Sequence, residues 1–471
     1  MNLSGKHVLI LGLGESGLAS ARWCVRNGAR VRVADTRAEP PGLSEIRRLA
    51  SREAVRPEAA RRGCADFCTG EFDKQLLDGI DLLVISPGLS PGLMIVIHAR
   101  AQGIPVVGEI ELFAWALRDL SPLTPVLGIT GTNGKTTTTT LTGHLIQQSK
   151  KRVGVAGNIS PAALDALMAA LDQRVLPDVW VLELSSFQLE TTESLNCAAA
   201  AMLNLSDDHL DRYIDLNDYA TAKSRVFNGL GTQVLNRDDA YSRRMGVAGR
   251  RLISFGLDAP GDTLDFGLRT RKDETWIVQG ENFLLPVRDL PIAGLHNAAN
   301  AMAALALCVA IGFDAKALVP ALKSFKGLAH RVEKVAEIGG ITYYDDSKGT
   351  NVGATVAALE GLGCKSVVIL GGDGKGQDFA PLKEAVARHA QGVVLIGRDA
   401  PKIRAAIAGS DVPMLDATDM IEAVALATRR AQPGDAVLLS PACASFDMFK
   451  NYEHRAAVFR AAVAQLQESG A

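Results

Sequence analysis

Short apolar runs bounded by glycine, proline and polar turns alternate with longer amphipathic stretches along this chain, and the alternation restarts twice. The first stretch predicts a strand over His7 to Leu11, a helix over Leu18 to Asn27 and a second strand over Ala29 to Ala34 that ends on Asp35. Asp81 to Ile85 reads as a buried strand running into Ser86-Pro87-Gly88, whereas Arg37 to Asp66 is charged, proline-containing and arginine-rich, the pattern of a solvated helix with flexible ends. Prolines in Leu120-Ser-Pro-Leu-Thr-Pro125 then break the preceding helix and mark a linker. Strands are expected next over Val126 to Thr130, Val179 to Leu182 and Ala198 to Leu203. From Gly231 to Pro291 the text changes to short β-like segments, such as Arg251 to Phe255 and Glu274 to Val278, which predict a small β subregion grafted onto the sheet. A third stretch begins near Gly327, with strands over Val367 to Leu370, Val393 to Ile396 and Ala436 to Leu439, and helices over Pro381 to His389, Lys402 to Ala408 and Met420 to Arg430. The expectation is an α/β protein of three domains, over 1–119, 120–326 and 327–471.

Length agrees with that count, since 471 residues exceed one core and suggest about three domains of ~150 residues. A formal charge of −2 gives no general field for nucleic acid or anionic lipid, so anion binding must be local. Seven cysteines, an odd number in a long chain, fit reduced thiols in the cytoplasm better than a disulfide framework. Cys64-Ala-Asp-Phe-Cys68 lacks a second pair at zinc-ligand spacing and reads as incidental. Val8 to Gly14 with Ala19-Ser-Ala21 behind it mimics a signal peptide, but Glu15 and the glycines interrupt it. The longest apolar run, Ala303 to Phe313, is too short to span a bilayer.

The chemistry concentrates in Gly128-Ile-Thr-Gly-Thr-Asn-Gly-Lys135-Thr136-Thr137, which ends a strand-like run and opens a helix-like one. Freed backbone N–H groups, the positive end of a helix, a lysine and a hydroxyl together complement phosphate oxygens and their magnesium. The spacing G-x-x-x-x-G-K-[ST] is not met, because Ile129 stands where the first glycine belongs, so this is a variant phosphate loop. Thr136 to Thr140 are weak helix formers that tertiary context must hold helical. Glu183, at a strand terminus, is placed to ligate magnesium, and His209 among acids reads either as a surface residue or as part of a metal or phosphate site. Gly12-Leu-Gly14-Glu-Ser-Gly17 followed by Asp35 has the spacing of a dinucleotide-binding unit, or of a tight turn with no ligand. Lys223, between Tyr219 and Phe227, reads from the residues alone as an exposed helix lysine.

Gly131-Thr-Asn-Gly-Lys135-Thr-Thr, Glu183-Leu-Ser-Ser-Phe-Gln, Asp208-His209-Leu-Asp211-Arg, Tyr219-Ala-Thr-Ala-Lys223, Gly294-Leu-His-Asn297-Ala-Ala-Asn300 and His330-Arg331-Val-Glu333 occur in one order over the whole chain. In that order they resemble the Mur ligase family of ATP-dependent peptidoglycan amino-acid ligases. Asp345-Asp346-Ser-Lys348-Gly-Thr350-Asn351, Gly371-Gly-Asp-Gly-Lys375-Gly-Gln-Asp378-Phe and Ser440-Pro-Ala-Cys-Ala-Ser445-Phe-Asp look like the branch that adds D-glutamate to UDP-N-acetylmuramoyl-L-alanine. The resemblance implies a Rossmann-like UDP-binding domain, a central P-loop ATPase-like domain and a C-terminal Rossmann-like domain that closes over ATP. It implies ATP phosphorylating the alanine carboxylate, followed by attack of the D-glutamate amine on the acyl phosphate.

By the same resemblance, Gly131, Thr132, Asn133, Gly134, Lys135, Thr136 and Thr137 hold the phosphates, Asn297 lies near adenine, Arg331 near phosphates and ribose, and Asp346 on the ribose hydroxyls. Lys348 adds positive charge at the reacting phosphate. Two Mg²⁺ ions are implied, with Thr136 and Glu183 on one, His209 on the second, and Lys223 carbamylated into a metal-binding anion. Gly14, Glu15 and Ser16 with Asp35, Thr36 and Arg37 would sandwich uracil, and Ser86 and Asn158 approach the diphosphate. Thr350, Lys375, Ser445, the Phe446 backbone and Tyr452 would hold the amino acid. Departures from the family pattern are Ser160 and Gly349, Asp345 in place of asparagine, Phe446, Tyr452, and extra residues around Arg56 to Cys68. The expected enzyme is a cytoplasmic monomer acting on small molecules, with no nucleic acid or membrane partner. Alternatives are a sibling adding another amino acid such as L-glutamate, a folylpolyglutamate synthase, against which the first block argues, an NAD-binding oxidoreductase, and a non-catalytic P-loop regulatory module.

Overall fold

A computed structural model describes residues 2–54, 65–208, 212–292 and 294–469. Three sheets follow one another along the chain, each built where apolar runs alternate with helices. The first contains β1 (His7–Leu11), β2 (Arg30–Asp35), β3 (Ala65–Thr69), β4 (Leu82–Ile85) and β5 (Val106–Val107), parallel throughout in the order β3-β2-β1-β4-β5. Its order reverses between β1 and β4, which opens a crevice at their carboxyl ends where Gly12 to Gly14 and Ser86 lie. Helix Glu109–Leu120 leaves this domain and packs on helix Ala163–Asp172, with Phe113 edge-on to Trp180 at 5.1 Å, so one core runs through both domains.

The middle sheet comprises β6 (Val126–Thr130), β7 (Val153–Gly157), β8 (Val179–Glu183), β9 (Ala199–Met202), β10 (Thr232–Asn236), β11 (Leu252–Phe255), β12 (Phe266–Arg271), β13 (Glu274–Gln279) and β14 (Asn282–Pro286). Its order is β14-β13-β12-β11-β10-β9-β6-β8-β7. The expected β subregion is thus continuous with the sheet: β10, β11 and β12 add in parallel, and β13 and β14 return antiparallel. Fully buried β6 lies between β8 and β9, and helix Lys135–Gln148 follows it. Thr137, Thr138 and Thr139 are buried in that helix, the tertiary support their weak propensity requires. The Ala303 to Phe313 run falls mostly in helix Leu295–Ala310, whose buried face packs on helix Lys135–Gln148. Among the described residues no helix is long and apolar enough to cross a membrane.

The third sheet has β15 (Glu333–Ile338), β16 (Ile341–Asp345), β17 (Ser366–Gly371), β18 (Ala390–Ile396), β19 (Met414–Asp416) and β20 (Ala436–Leu439), in the order β15-β16-β20-β17-β18-β19. All pairs are parallel except β15 with β16. Sequence reading misses β15, β16 and β19 because they are short or half-exposed and lack a clean apolar run.

One expectation is corrected in the first domain. Arg37 to Asp66 is not a wholly solvated helix: helix Leu43–Ala54 buries Leu43 and Ile46, one turn apart, and β3 pairs with β2 from Ala65 onward. Of the extra residues around Arg56 to Cys68, those up to Cys64 lie outside the described residues.

Candidate active site

The turn between β6 and helix Lys135–Gln148 needs glycine at two points. Gly131 has φ +153° and Gly134 φ +82°, and a Cβ on Gly134 would stand 2.3 Å from Asn300 Oδ1. Asn204, just after β9, braces the turn: its carbonyl accepts from Thr132 N at 2.9 Å, its side-chain oxygen from Asn133 N at 2.8 Å, and its amide donates to Asn133 O at 3.1 Å. Lys135 Nζ bends back onto the carbonyls of Gly131 (2.9 Å) and Thr132 (2.7 Å), so the ammonium is held over the loop. Burial lowers its pKa, while Glu183 and Asp208 pull it back up.

Glu183 ends β8 beside Ile129 and is 2% exposed. One oxygen accepts from Asn158 Nδ2 at 2.8 Å; the other, Oε2, is buried without a hydrogen-bond partner among the described residues. An orphaned carboxylate oxygen beside a phosphate loop suits a divalent cation, which would discharge the cost of leaving it dry. Next to it, the Thr136 hydroxyl accepts from Arg331 Nη2 at 2.8 Å, which brings the third domain onto the loop. A second tie joins Asn351 Nδ2 to Asn133 Oδ1 at 3.0 Å.

Lys223 corrects the reading made from residues alone: it is 1% exposed rather than solvent-facing. Helix Leu216–Ser224 turns it inward to donate to Gly131 O at 2.8 Å, with Nζ 4.4 Å from the Tyr219 ring centre. Burial and the neighbouring Lys135 push its amine well below the ordinary lysine range, against the opposing fields of Asp208 and Glu183. His209 lies outside the described residues.

Two cavities meet at the loop. One of about 880 Å³ is lined by Glu15, Asn133 to Thr136, Asn158 to Ser160, Glu183, Asp207, Asp208, Arg331, Lys348, Thr350, Lys375 and Tyr452, so all three domains contribute. The other, about 660 Å³, is lined by Asn204, Asn236, Asp239, Asn297, Asn300, Arg331, Asp346 and Lys348. Asn133, Gly134, Arg331 and Lys348 border both. Asp346 is 6% exposed and accepts from Ser440 Oγ at 2.6 Å; burial pushes its carboxyl up to about 7, with the Ser440 bond and Arg331 opposing. Lys348 Nζ sits 3.8 Å from the Tyr452 ring centre, and burial lowers its pKa.

Known proteins align with this arrangement throughout. Residues 6–108 match the Mur ligase MurD-like N-terminal domain, 129–308 the Mur ligase middle domain and 330–443 the Mur ligase glutamate ligase domain. A protein of Aromatoleum aromaticum named UDP-N-acetylmuramoylalanine–D-glutamate ligase is 55% identical, over 99% of this chain and 98% of its own. One of the same name from Nitrosospira multiformis is 52% identical over 100% and 98%. The chain belongs to the Mur ligase family. Among solved structures, the UDP-N-acetylmuramate-alanine ligase of Thermotoga maritima shares the fold at a TM-score of 0.57 and 18% identity, covering 98% of this chain and 99% of that one.

In this Mur ligase Thr132 to Thr136 of the expected phosphate loop, Glu183, Lys348, Thr350, Lys375 and Tyr452 come together around the larger cavity, Thr137, Asn297 and Asp346 line the smaller, and Gly131 lines neither. Ser445 is buried and Phe446 is 69% exposed; neither lines a cavity described above. Gly14, Ser16, Asp35, Thr36, Arg37 and Ser86 gather instead at the carboxyl edge of the first sheet; Glu15 and Asn158 reach the cavity, where Glu15 accepts from Ser160 Oγ at 2.5 Å. The Asp35 carboxylate is already engaged, by Leu13 N at 2.7 Å and by Arg37 at 2.8 and 2.9 Å, and Arg37 holds it down to about 2. Residue-level reading left out Asp207 and Asp208, whose only signal was their place in the His209 motif, and Asn204, visible as the residue ending the Ala198 to Leu203 run.

Proposed function

We propose that this Mur ligase joins D-glutamate to UDP-N-acetylmuramoyl-L-alanine with ATP, in the cytoplasmic synthesis of peptidoglycan precursors, and that it works as a monomer. The observation that carries the reading is near-complete alignment at 50% identity or more with proteins named for that reaction. The γ-phosphate passes to the alanine carboxylate, forming one P–O bond as the bond to ADP breaks. The glutamate amine then forms the C–N bond at the acyl carbon, inorganic phosphate leaves, and the ammonium protons go to solvent.

In this reading Lys135 and the N–H groups of Gly131 to Thr137 hold the phosphates, and Arg331 and Lys348 offset the charge that gathers as the phosphoryl group moves. Glu183 with its orphaned oxygen, Thr136, His209 and Lys223 are the residues that would hold Mg²⁺, which supplies Lewis-acid charge neutralisation where two anions must meet. Two ions are taken to bind. Carbamylation of Lys223 is supported by its burial against Lys135: a neutral amine can add to CO₂, and the resulting anion would relieve the juxtaposition of two cations. Asn297 and Asp346 take the adenosine in the smaller cavity. Thr350, Lys375, Ser445, the Phe446 backbone and Tyr452 take the amino acid, whose carboxylates suit lysine and hydroxyl donors. Gly14, Glu15, Ser16, Asp35, Thr36, Arg37, Ser86 and Asn158 form the uridine-diphosphate end.

The test is phosphate release with ATP, Mg²⁺ and UDP-N-acetylmuramoyl-L-alanine, comparing D-glutamate, L-glutamate and no amino acid. Release only with D-glutamate, with a product of matching mass, is expected. Preference for L-glutamate reassigns the amino acid, and no release with either overturns the reading.

A further inference from the structure

Arg455 is 1% exposed and has no role in the chemistry above. It projects from helix Tyr452–Ser469, whose first residue lines the larger cavity. A guanidinium is costly to bury unless paired, yet its hydrogen bonds go to two backbone carbonyls, Cys443 O at 3.0 Å through Nη1 and Ser347 O at 2.8 Å through Nη2. Nε is buried with no hydrogen-bond partner among the described residues. Burial lowers its pKa to about 10, which leaves it charged at neutral pH.

The two carbonyls belong to different loops at the carboxyl ends of adjacent strands, β16 and β20. Ser347 precedes Lys348 and Thr350; Cys443 precedes Ser445. The loops touch elsewhere, through Ser440 Oγ to Asp346 Oδ2 at 2.6 Å and Ala442 N to Gly349 O at 3.1 Å. Ala442 has φ +59°, a left-handed conformation that a residue with a Cβ holds only under outside constraint. The carbonyl beside it is the one Arg455 binds.

We propose that Arg455 is a positioning residue for the amino-acid substrate: one guanidinium clamps the Ser347 and Cys443 loops at a fixed spacing, so that Thr350 and Ser445 meet a dicarboxylate together. The inference rests on the amino-acid site proposed above. Lysine cannot substitute fully, because a single ammonium lacks the fork that reaches two carbonyls at once.

Arg455→Lys, Arg455→Met and Arg455→Ala are compared with wild type for KM of D-glutamate, ATP and the UDP substrate. Loss of charge-assisted bonds should raise KM for D-glutamate about ten- to a hundredfold in Arg455→Met, less in Arg455→Lys, with KM for ATP rising less than that for D-glutamate and KM for the UDP substrate close to wild type. Guanidinium chloride at non-denaturing concentration should lower that KM in Arg455→Ala, whereas methylammonium should not. An unchanged KM for D-glutamate, or an equal rise in all three without guanidinium rescue, overturns the proposal. If the Met and Ala variants do not fold, the ratio of the two KM values in Arg455→Lys decides: a raised ratio supports the clamp and an unchanged one removes it. A wild-type enzyme inert toward D-glutamate would instead fail the substrate reading, and the same ratio, taken with the amino acid that does stimulate release, would still judge Arg455.

Discussion

The turn after β1 and the turn after β6 share a plan, a glycine-bearing bend from a parallel strand into a helix, and differ in what faces them. After β1, Gly17 lets the helix approach: a Cβ there would stand 1.9 Å from Gly12 O. The acid in reach, Asp35, is spent on Leu13 N and Arg37. After β6, the glycines free the loop backbone, Lys135 lies over it, and Glu183 keeps an oxygen without a partner. The glycines record backbone geometry in both; the unsatisfied and charged side chains record which turn is equipped for phosphate and its cation. A dinucleotide fingerprint read without its side-chain partners therefore overstates what the first turn does.

The sharpest break between the turns should come from charge. Lys135→Met and Glu183→Gln should each lower kcat/KM for phosphate release by about a thousandfold, the scale of losing one group that offsets developing charge. Asp35→Asn should leave ATP-dependent steps intact and alter only the UDP substrate's KM. An ATPase rate that survives Lys135→Met would dissolve the contrast.

Lys223 should follow. Lys223→Ala is expected to cost about a hundredfold in kcat, and formate or acetate should restore part of it by supplying the missing carboxylate; intact-protein mass should show the added CO₂ in wild type. Full activity of the variant would remove Lys223 from the site.

Much of this was legible in the sequence, and what was not has physical causes. The central strands β1, β4, β6, β8, β17, β18 and β20 are buried on both faces and read as apolar runs, so their places emerged from pattern alone. Edge strands such as β15 and β19 are half wet and lost that signal. Lys135 and Glu183 were visible because they sit at strand and helix ends, where function gathers in such sheets. Lys223 was invisible as a buried group, since its helix has a weak apolar stripe and its burial comes from Gly131, Tyr219 and Lys135 folding around it. The pairing of Asp35 with Arg37 was not visible, because Arg37 lies in a turn whose path the sequence leaves open.

Glycine chemistry separates the turns again at the level of stability. Gly17→Ala forces a methyl into the Gly12 carbonyl and should destabilise the first domain by about 3 kcal/mol, whereas Gly14→Ala, with φ −87° and nothing within 4 Å of the added Cβ, should fold normally. Denaturant melts of the two variants check this, and equal losses would mean that the close approach at Gly17 is not real.

The smallest effect lies at the seam between the two domains that carry these turns. Glu109, 2% exposed, accepts from Leu164 N at 2.6 Å and leaves its other oxygen unpartnered. Burial, with Asp165 and Glu15 nearby, pushes its carboxyl up to about 8 from 4.5. Between those values the folded protein holds a proton that the unfolded chain has released, so stability from this residue is fully present below about pH 4.5 and falls as pH rises toward 8. Glu109→Gln keeps the acceptor for Leu164 and does not titrate. It should match wild type below about pH 4.5 and exceed it above pH 8, with the gap widening between those values, read from urea midpoints across that range. Asp165→Asn should lower the pH at which the two curves stop diverging and narrow the final gap, because it removes one of the charges that keep Glu109 protonated; parallel curves at every pH would show that Glu109 is ionised in the folded seam and that the domains meet over a charge, not a neutral acid.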